Sequence, residues 1–244
     1  MSVPFKVDLK GKVAVVTGGG GVLCGSMAES LAECGAKVAA LDLKKEAADK
    51  VASEILRKGG TAIGFAANVL EIESLKIAEA AICDKLGPCD ILINGAGGNH
   101  PKGTTSNEFL TKDDLKRIGT EGFVSFFDLD PEGVKFVFNL NFIGTLLPTQ
   151  VFSRKMAEKN GGVIINISSM NAFCPLTKIP AYSGAKAAVS NFTQWLAVHM
   201  SKLNIRVNAI APGFFITDQN RSLLTKSDGS FTPRAEKILG MTPM

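Results

Sequence analysis

Lys12-Val13-Ala14-Val15-Val16-Thr17-Gly18-Gly19-Gly20-Gly21-Val22-Leu23-Cys24-Gly25 decides the fold. Its first part is a short β-branched run without polar alternation, the pattern of a strand buried on both faces. Four glycines break the run, and the apolar spacing from about Leu23 to Cys34 predicts a helix closed by Gly35. Glycines between a strand and a helix let backbone N–H groups approach a pyrophosphate, and the helix N-terminus favours the anion. Gly18, Gly21, Val22 and Leu23 are therefore candidate dinucleotide-binding residues.

The chain downstream repeats the alternation. Strand patterns at Lys37 to Leu41, Thr61 to Ala66, Asp90 to Ile93, Gly162 to Ile167 and Arg206 to Ile210 are separated by helix patterns. Those helices are expected over Lys45 to Lys58, Ile72 to Leu86, Phe136 to Ala157 and the stretch after Tyr182. Six strands with helical crossovers imply an α/β fold, a Rossmann-like doubly wound parallel sheet, as one domain over residues 1–244. Ligands in that architecture sit beyond the carboxyl ends of the strands. Asp42 ends the second strand, about 20 residues after the glycines, where an acidic side chain binds ribose hydroxyls.

Composition excludes several classes. The net charge is +4 on 27 basic and 23 acidic side chains, too mild and dispersed for a nucleic-acid surface. No apolar run reaches the ~20 residues that span a bilayer. Cys24, Cys34, Cys83, Cys89 and Cys174 show neither C-x-x-C nor metal spacing, and read as small core residues of a reduced, cytoplasmic protein. With two histidines only, no metal site is expected.

Tyr182 is the only tyrosine, and Lys186 follows four residues later at the head of an apolar helix. That spacing places phenol and ammonium on one helix face. A free phenol, with a pKa of about 10, is a poor proton donor or acceptor near neutrality, and a neighbouring cation draws it down. A packed aromatic beside a solvated lysine would show the same bare pattern, so the surrounding motifs decide.

Those motifs resemble the short-chain dehydrogenase/reductase family, from about Lys10 to the last residue. Thr17-Gly18 resembles the start of its glycine-rich motif, and Asn94-Gly95-Ala96-Gly97 resembles its Asn-Asn-Ala-Gly. Asn141 matches its helix asparagine, and Ser169 stands 13 residues before Tyr182, the family's usual spacing. Pro212-Gly213 with Thr217 resembles its segment along the nicotinamide. The resemblance implies a tetrad: Tyr182 as acid or base, Ser169 on the substrate oxygen, Lys186 tuning Tyr182 and holding the ribose, and Asn141 anchoring a proton-relay water. It also implies cofactor contacts from Asn94, Ala96, Gly97, Tyr182, Lys186, Pro212, Gly213 and Thr217, and a homodimer or homotetramer. Asp42 favours NAD(H), with NADP(H) possible because Lys44 and Lys45 lie close by.

The chain departs from the pattern at several points. The second and third motif glycines align on Val22 and Cys24, with Gly21 and Gly25 beside them, so the loop path stays open. A cysteine at the helix-packing position is expected to push helix from sheet slightly. Asn68-Val69 replaces the usual aspartate after the third strand, and both are kept as candidate adenine-side residues. From Asn94 to Asn141 there are 47 positions, roughly twice the usual span. The excess, residues 100–132, is polar and then aromatic, and is expected to act on the substrate side as a lid. The family usually continues for ~30 residues beyond Met244, about one βα unit, so a longer parent protein and a missing last strand are expected.

The glycine loop, Asn94 to Pro101 and the insert together resemble the family's D-mannonate oxidoreductase branch, which interconverts D-fructuronate and D-mannonate. A sugar acid needs polar donors and a cation, and His100, Lys102, Asn171 and Lys178 are the candidate substrate residues. Gluconate 5-dehydrogenase, another polyol or ketone reductase, and a non-catalytic dinucleotide-sensing module are the alternatives.

Overall fold

Val13–Thr17 (β1) is almost wholly buried and forms the centre of the sheet. The computed structural model describes residues 7–217 and 220–241. Around β1 stand Lys37–Asp42 (β2), Thr61–Ala66 (β3), Ile91–Asn94 (β4), Gly162–Ile167 (β5) and Ile205–Ile210 (β6). Their spatial order is β3-β2-β1-β4-β5-β6, and every pairing is parallel. The order reverses between β1 and β4, which opens a crevice at their carboxyl ends. This is the Rossmann-like sheet that the alternation predicts, and its described strands number six.

Successive strand residues point to opposite faces, so one strand feeds two cores. Val13 and Val15 join Leu92 and Ile164 on one face, under Leu75 and Ile82 of Ile72–Lys85 (α3) and Phe152 and Met156 of Gly144–Glu158 (α5). Ala14 and Val16 join Ile93 and Ile167 on the other, under Cys24 and Ala28 of Val22–Glu33 (α1) and Ala52 and Ile55 of Lys45–Arg57 (α2). Each large aliphatic side chain buried this way contributes roughly 1.5–3 kcal/mol, which drives helices onto both faces.

The single helix expected over Phe136 to Ala157 is longer and interrupted. It starts at Pro131, where Asp130 Oδ1 accepts from the Glu132 N–H at 2.9 Å, and runs to Phe138 as α4. Asp followed by Pro at the first helical position is a start signal that falls inside the expected insert. One wider π turn, Asn139–Ile143, then joins α4 to α5 and turns Asn141 inward. Pro180–His199 is α6.

A buried ladder of amides and hydroxyls ties β4 and β5 to the helices beside them. Asn94 Nδ2 donates to Thr149 Oγ1 at 2.8 Å and to Asn166 Oδ1 at 2.9 Å. Asn166 Nδ2 donates in turn to Thr193 Oγ1 at 2.9 Å. Both asparagines are at most 1% exposed, and of the Asn94 amide it is Nδ2 that is paired, its Oδ1 having no partner among the described residues.

By contact density the chain forms two compact units, 1–211 and 212–244. The second contains Arg221–Leu224 (α7) and Pro233–Gly240 (α8), an antiparallel bridge between Thr225 and Phe231, and a cap in which Thr232 Oγ1 accepts from the Ala235 N–H.

Candidate active site

The glycine loop is shaped by close approach. Gly18 has φ +64°, and a Cβ there would meet the Ala96 nitrogen at 2.9 Å. A Cβ at Gly20 would meet the Ala47 Cβ at 2.5 Å. Gly21 N–H donates to the Gly18 carbonyl at 3.0 Å, closing the turn that delivers the chain to Val22. The first N–H groups of α1, at Val22 and Leu23, have no acceptor within the helix and face outward from its N-terminus. Asp42 Oδ2 accepts from the Gly20 N–H at 3.2 Å and Oδ1 from the Lys44 N–H at 3.1 Å, which holds the carboxylate beside the loop. Amides without a helical partner and a fixed carboxylate are the donor set that a pyrophosphate and a ribose require, so these residues fit a dinucleotide. Lys45 is bound to Asp49 at 2.6 Å, so its charge is already engaged.

Cys24 answers the question of the third glycine. Its thiol lies against Gly95, where a Cβ would overlap the sulfur. Room for the cysteine therefore comes from the missing side chain at position 95, not from a displaced helix. Gly25 packs on α2 instead, its Cβ position lying 3.2 Å from Val51. Burial pushes the Cys24 thiol up to about 11, while Lys186 draws it down and Asp42 raises it, so these three groups share one neighbourhood.

Tyr182 and Lys186 rise from the first turns of α6, with Pro180 at its start. The Tyr182 phenol lies close enough to the side chain of Ser169, just beyond the end of β5, for Ser169 to favour its ionised form. Lys186 Nζ lies 5.6 Å from the Tyr182 ring centre and donates to the Ile167 carbonyl at 2.7 Å. Lys186 is 3% exposed, and burial depresses it to about 8. The expected lowering of Tyr182 is reversed: burial raises the phenol above its ordinary value, and Ser169 offsets this only in part. The physical reason is placement, since the ammonium bonds to a strand carbonyl and not to the phenol oxygen.

Asn141 is fully buried beside these residues. Its Nδ2 donates to the carbonyls of Gly98 at 2.7 Å and Val137 at 2.8 Å, and its Oδ1 accepts from the Gly98 N–H at 3.2 Å. Both amide protons are thus taken, and the side chain clamps the β4 loop. A Cβ at Gly97 would meet Asn141 Oδ1 at 2.6 Å and Lys186 Nζ at 3.2 Å, so only glycine fits between them. Ala96 N–H and Gly95 N–H both point to Thr17 Oγ1, at 3.3 and 3.1 Å. Thr17 was not among the expected site residues, although a wholly buried threonine closing a strand before Gly18 is the signal for it.

The side chains of two expected cofactor residues are bonded within the protein. Asn94 belongs to the buried ladder, because it shares the Leu92 face of β4 and is turned from the crevice. Asn68 spends its side chain locally, Oδ1 accepting from the Leu70 N–H at 3.0 Å and Nδ2 donating to Glu71 at 2.7 Å. Val69 is buried against Gly144. Pro212, Gly213 and Thr217 belong to the second unit, where Thr217 N–H donates to Asn220 Oδ1 at 2.8 Å.

The insert is an ordered body with its own small centre. Asp114, 6% exposed, accepts from Asn107 Nδ2 and from the Thr111 N–H and hydroxyl, and these bonds hold its carboxyl below the usual range. Arg117 covers the buried Phe123 ring at 4.1 Å, while Phe126 and Phe127 are exposed. Thr105 N–H donates to the Lys178 carbonyl at 2.9 Å, pinning the insert to the segment before α6. A cavity of about 170 Å³ opens there, lined by Phe109, Phe123, Val124, Thr177 and Pro180 among others.

The substrate candidates divide. Asn171 donates its N–H to Ser169 Oγ at 3.2 Å, and its buried Oδ1 has no partner among the described residues. Lys178 is half-buried, and no carboxylate pairs with it among the described residues. Lys102 is exposed and paired with Asp130 at 3.3 Å, and the His100 ring lies against Phe136 at 5.1 Å. These last two hold the insert to α4, which explains why they do not converge as free groups.

Among the described residues no helix is long and apolar enough to cross a membrane. The family described as short chain dehydrogenase matches residues 12–228. An uncharacterized oxidoreductase of Haemophilus influenzae is 57% identical over 244 residues, covering 100% of this chain and 84% of that protein. The 7alpha-hydroxysteroid dehydrogenase of Escherichia coli K12 is 31% identical over 97% of this chain and 81% of its own length. A solved Haemophilus influenzae structure with bound NAD, provisionally named a D-mannonate oxidoreductase, superposes with TM-score 0.90 at 58% identity, over 97% of this chain and 83% of that one. NAD-bound xylitol dehydrogenase superposes with TM-score 0.81 at 26% identity, over 98% and 87%. With the Ser169–Tyr182 pair, Lys186 and Asn141 assembled beside a glycine-rich loop, the chain belongs to the short-chain dehydrogenase family and is an oxidoreductase.

Proposed function

We propose that the protein is an NAD(H)-dependent oxidoreductase interconverting a sugar acid and its keto form, D-mannonate and D-fructuronate. The observation that carries the chemistry is the grouping of Tyr182 with Lys186, 5.6 Å from its ring, and with Ser169 at the end of β5. In reduction Tyr182 gives its proton to the carbonyl oxygen of the substrate, and in oxidation it takes the proton back. Ser169 donates to the same oxygen as charge develops on it. The nicotinamide, when bound, donates or accepts the hydride. Lys186 holds the nicotinamide ribose, and Asp42 reads the adenosine ribose and repels a 2′-phosphate.

The substrate class is supported by the Lys178 ammonium and the Asn171 Oδ1, side-chain groups without a partner among the described residues on the segment between Ser169 and Tyr182. It is also supported by similarity to the Haemophilus influenzae protein with the mannonate name. A carboxylate needs such a cation, whereas a steroid would need apolar walls. A cytoplasmic homo-oligomer belongs to this reading, with the stacked Phe192, Trp195 and His199 rings of α6 as its contact. NADH-dependent reduction of fructuronate, compared with 5-ketogluconate and neutral ketones, is the test. Neutral ketones reduced as well as every keto acid would refute the sugar-acid reading, and activity on 5-ketogluconate alone would move the enzyme to gluconate 5-dehydrogenase.

A further inference from the structure

We propose that Cys24 and Gly95 form a matched steric pair that sets the spacing between the α1 N-terminus and the β4 loop, which makes Cys24 a positioning residue for the dinucleotide. Cys24 is 6% exposed and sits in the first turn of α1, directly after the amides that face the pyrophosphate site. Its sulfur occupies the space into which any side chain at Gly95 would grow. From Gly95 the chain passes through Ala96 to Gly97, and each step is held: Thr17 Oγ1 accepts from the Gly95 and Ala96 N–H groups, and Gly97 lies under Asn141 Oδ1 and Lys186 Nζ. A wedge at position 95 would therefore be passed in one direction to the pyrophosphate amides and in the other to Lys186. Conversely, a residue larger than cysteine at position 24 would press on the same loop. Interiors packed this closely do not absorb an extra methyl without movement.

The proposal rests on the dinucleotide reading above, and a double-mutant cycle tests it. NAD and NADP affinities are measured by calorimetric titration, and unfolding temperatures without nucleotide, for wild type, Gly95→Ala, Cys24→Gly and Cys24→Gly/Gly95→Ala. A Cβ at Gly95 also meets the Thr17 carbonyl oxygen at 2.9 Å, but that contact is common to both backgrounds and cancels in the cycle. Gly95→Ala is expected to weaken NAD binding roughly tenfold or more when Cys24 is present and at most about threefold when it is glycine. Turnover at saturating NAD should fall and recover in step, because the loop also carries Gly97. A role in stability alone would instead lower the unfolding temperature and leave the affinity of the folded protein unchanged. Equal penalties in both backgrounds would overturn the pair. Should Gly95→Ala not fold, Cys24→Leu is expected to weaken NAD by a similar factor while Cys24→Ser stays within about twofold of wild type; a wild-type affinity in Cys24→Leu overturns the proposal equally. A wild-type protein that binds neither nucleotide would refute the dinucleotide reading itself, and the pair's role with it.

Discussion

Lys186 Nζ lies 5.6 Å from the centre of the Tyr182 ring and gives its hydrogen bond to the Ile167 carbonyl. The cation that defines the motif is therefore anchored to the end of β5, one residue before the Ser168–Ser169 pair, and not to the phenol. Lys186 thereby fixes α6 against the strand that leads to Ser169.

Tyr182→Phe removes the proton donor while keeping the ring that packs on Val137, Ala181 and Ala185. Turnover is expected to fall by roughly 10²-fold or more, with the loss in kcat and NAD affinity unchanged. Steady-state kinetics alongside an NAD titration checks both halves.

Lys186 gives a pH signature in stability. Burial holds it at about 8, below its ordinary 10.5, so across that interval the unfolded chain binds the proton that the folded chain has lost. Stability linked to this group accordingly rises with pH from about 8 to about 10.5, and below 8 the buried ammonium is a full cost. Lys186→Met should therefore gain most, relative to wild type, at pH 7.5 and lose that advantage by pH 10. Denaturant melts of both proteins at the two pH values measure the difference.

Asp42→Ser removes the carboxylate held by the Gly20 and Lys44 amides. The ratio of kcat/KM for NAD over NADP is expected to drop by roughly tenfold, mainly through weaker NAD binding. A ratio that stays put would mean that another group reads the ribose.

Lys178→Gln and Lys102→Gln separate a free cation from a spent one. Lys178→Gln should raise the KM for keto acids about tenfold and leave neutral ketones within twofold, the loss expected when one charge-assisted hydrogen bond is removed. Lys102→Gln, its charge already matched by Asp130, should change either KM by no more than about twofold.

Asp114→Ala tests whether the insert is a body in its own right. Asn107, Thr111 and Arg117 all converge on that carboxylate. Without it, protease cleavage within residues 105–128 is expected to accelerate, while the unfolding temperature of the whole chain changes little. Mass spectrometry of the first fragments locates the cut.

The sheet was legible because β-branched runs such as Val13–Val16 and Ile91–Ile93 have few alternatives, and the glycines marked where α1 begins. The tetrad was legible through spacing, since Ser169, Tyr182 and Lys186 depend on one strand end and one helix. Strand parity sets the Asn94 side chain with Leu92, on the face of the sheet where the buried ladder runs. An asparagine after a strand can also turn the chain locally, as the Asn68 side chain does by accepting from the Leu70 N–H. The extent of the insert was legible but its order was not: that order comes from side-chain bonds to one carboxylate, Asp114, from Asn107, Thr111 and Arg117, which follow no strand or helix period.

The two ends of the insert meet. Pro101–Gly103 packs on α4, and Lys102 pairs with Asp130 at the residue where α4 begins. A segment whose entry and exit adjoin closes at little entropic cost whatever its length, and it can be lengthened, shortened or exchanged without a change in the strands beneath. Such a cassette can be traded while the strand that leads to Ser169 and the helix that bears Tyr182 and Lys186 stay as they are.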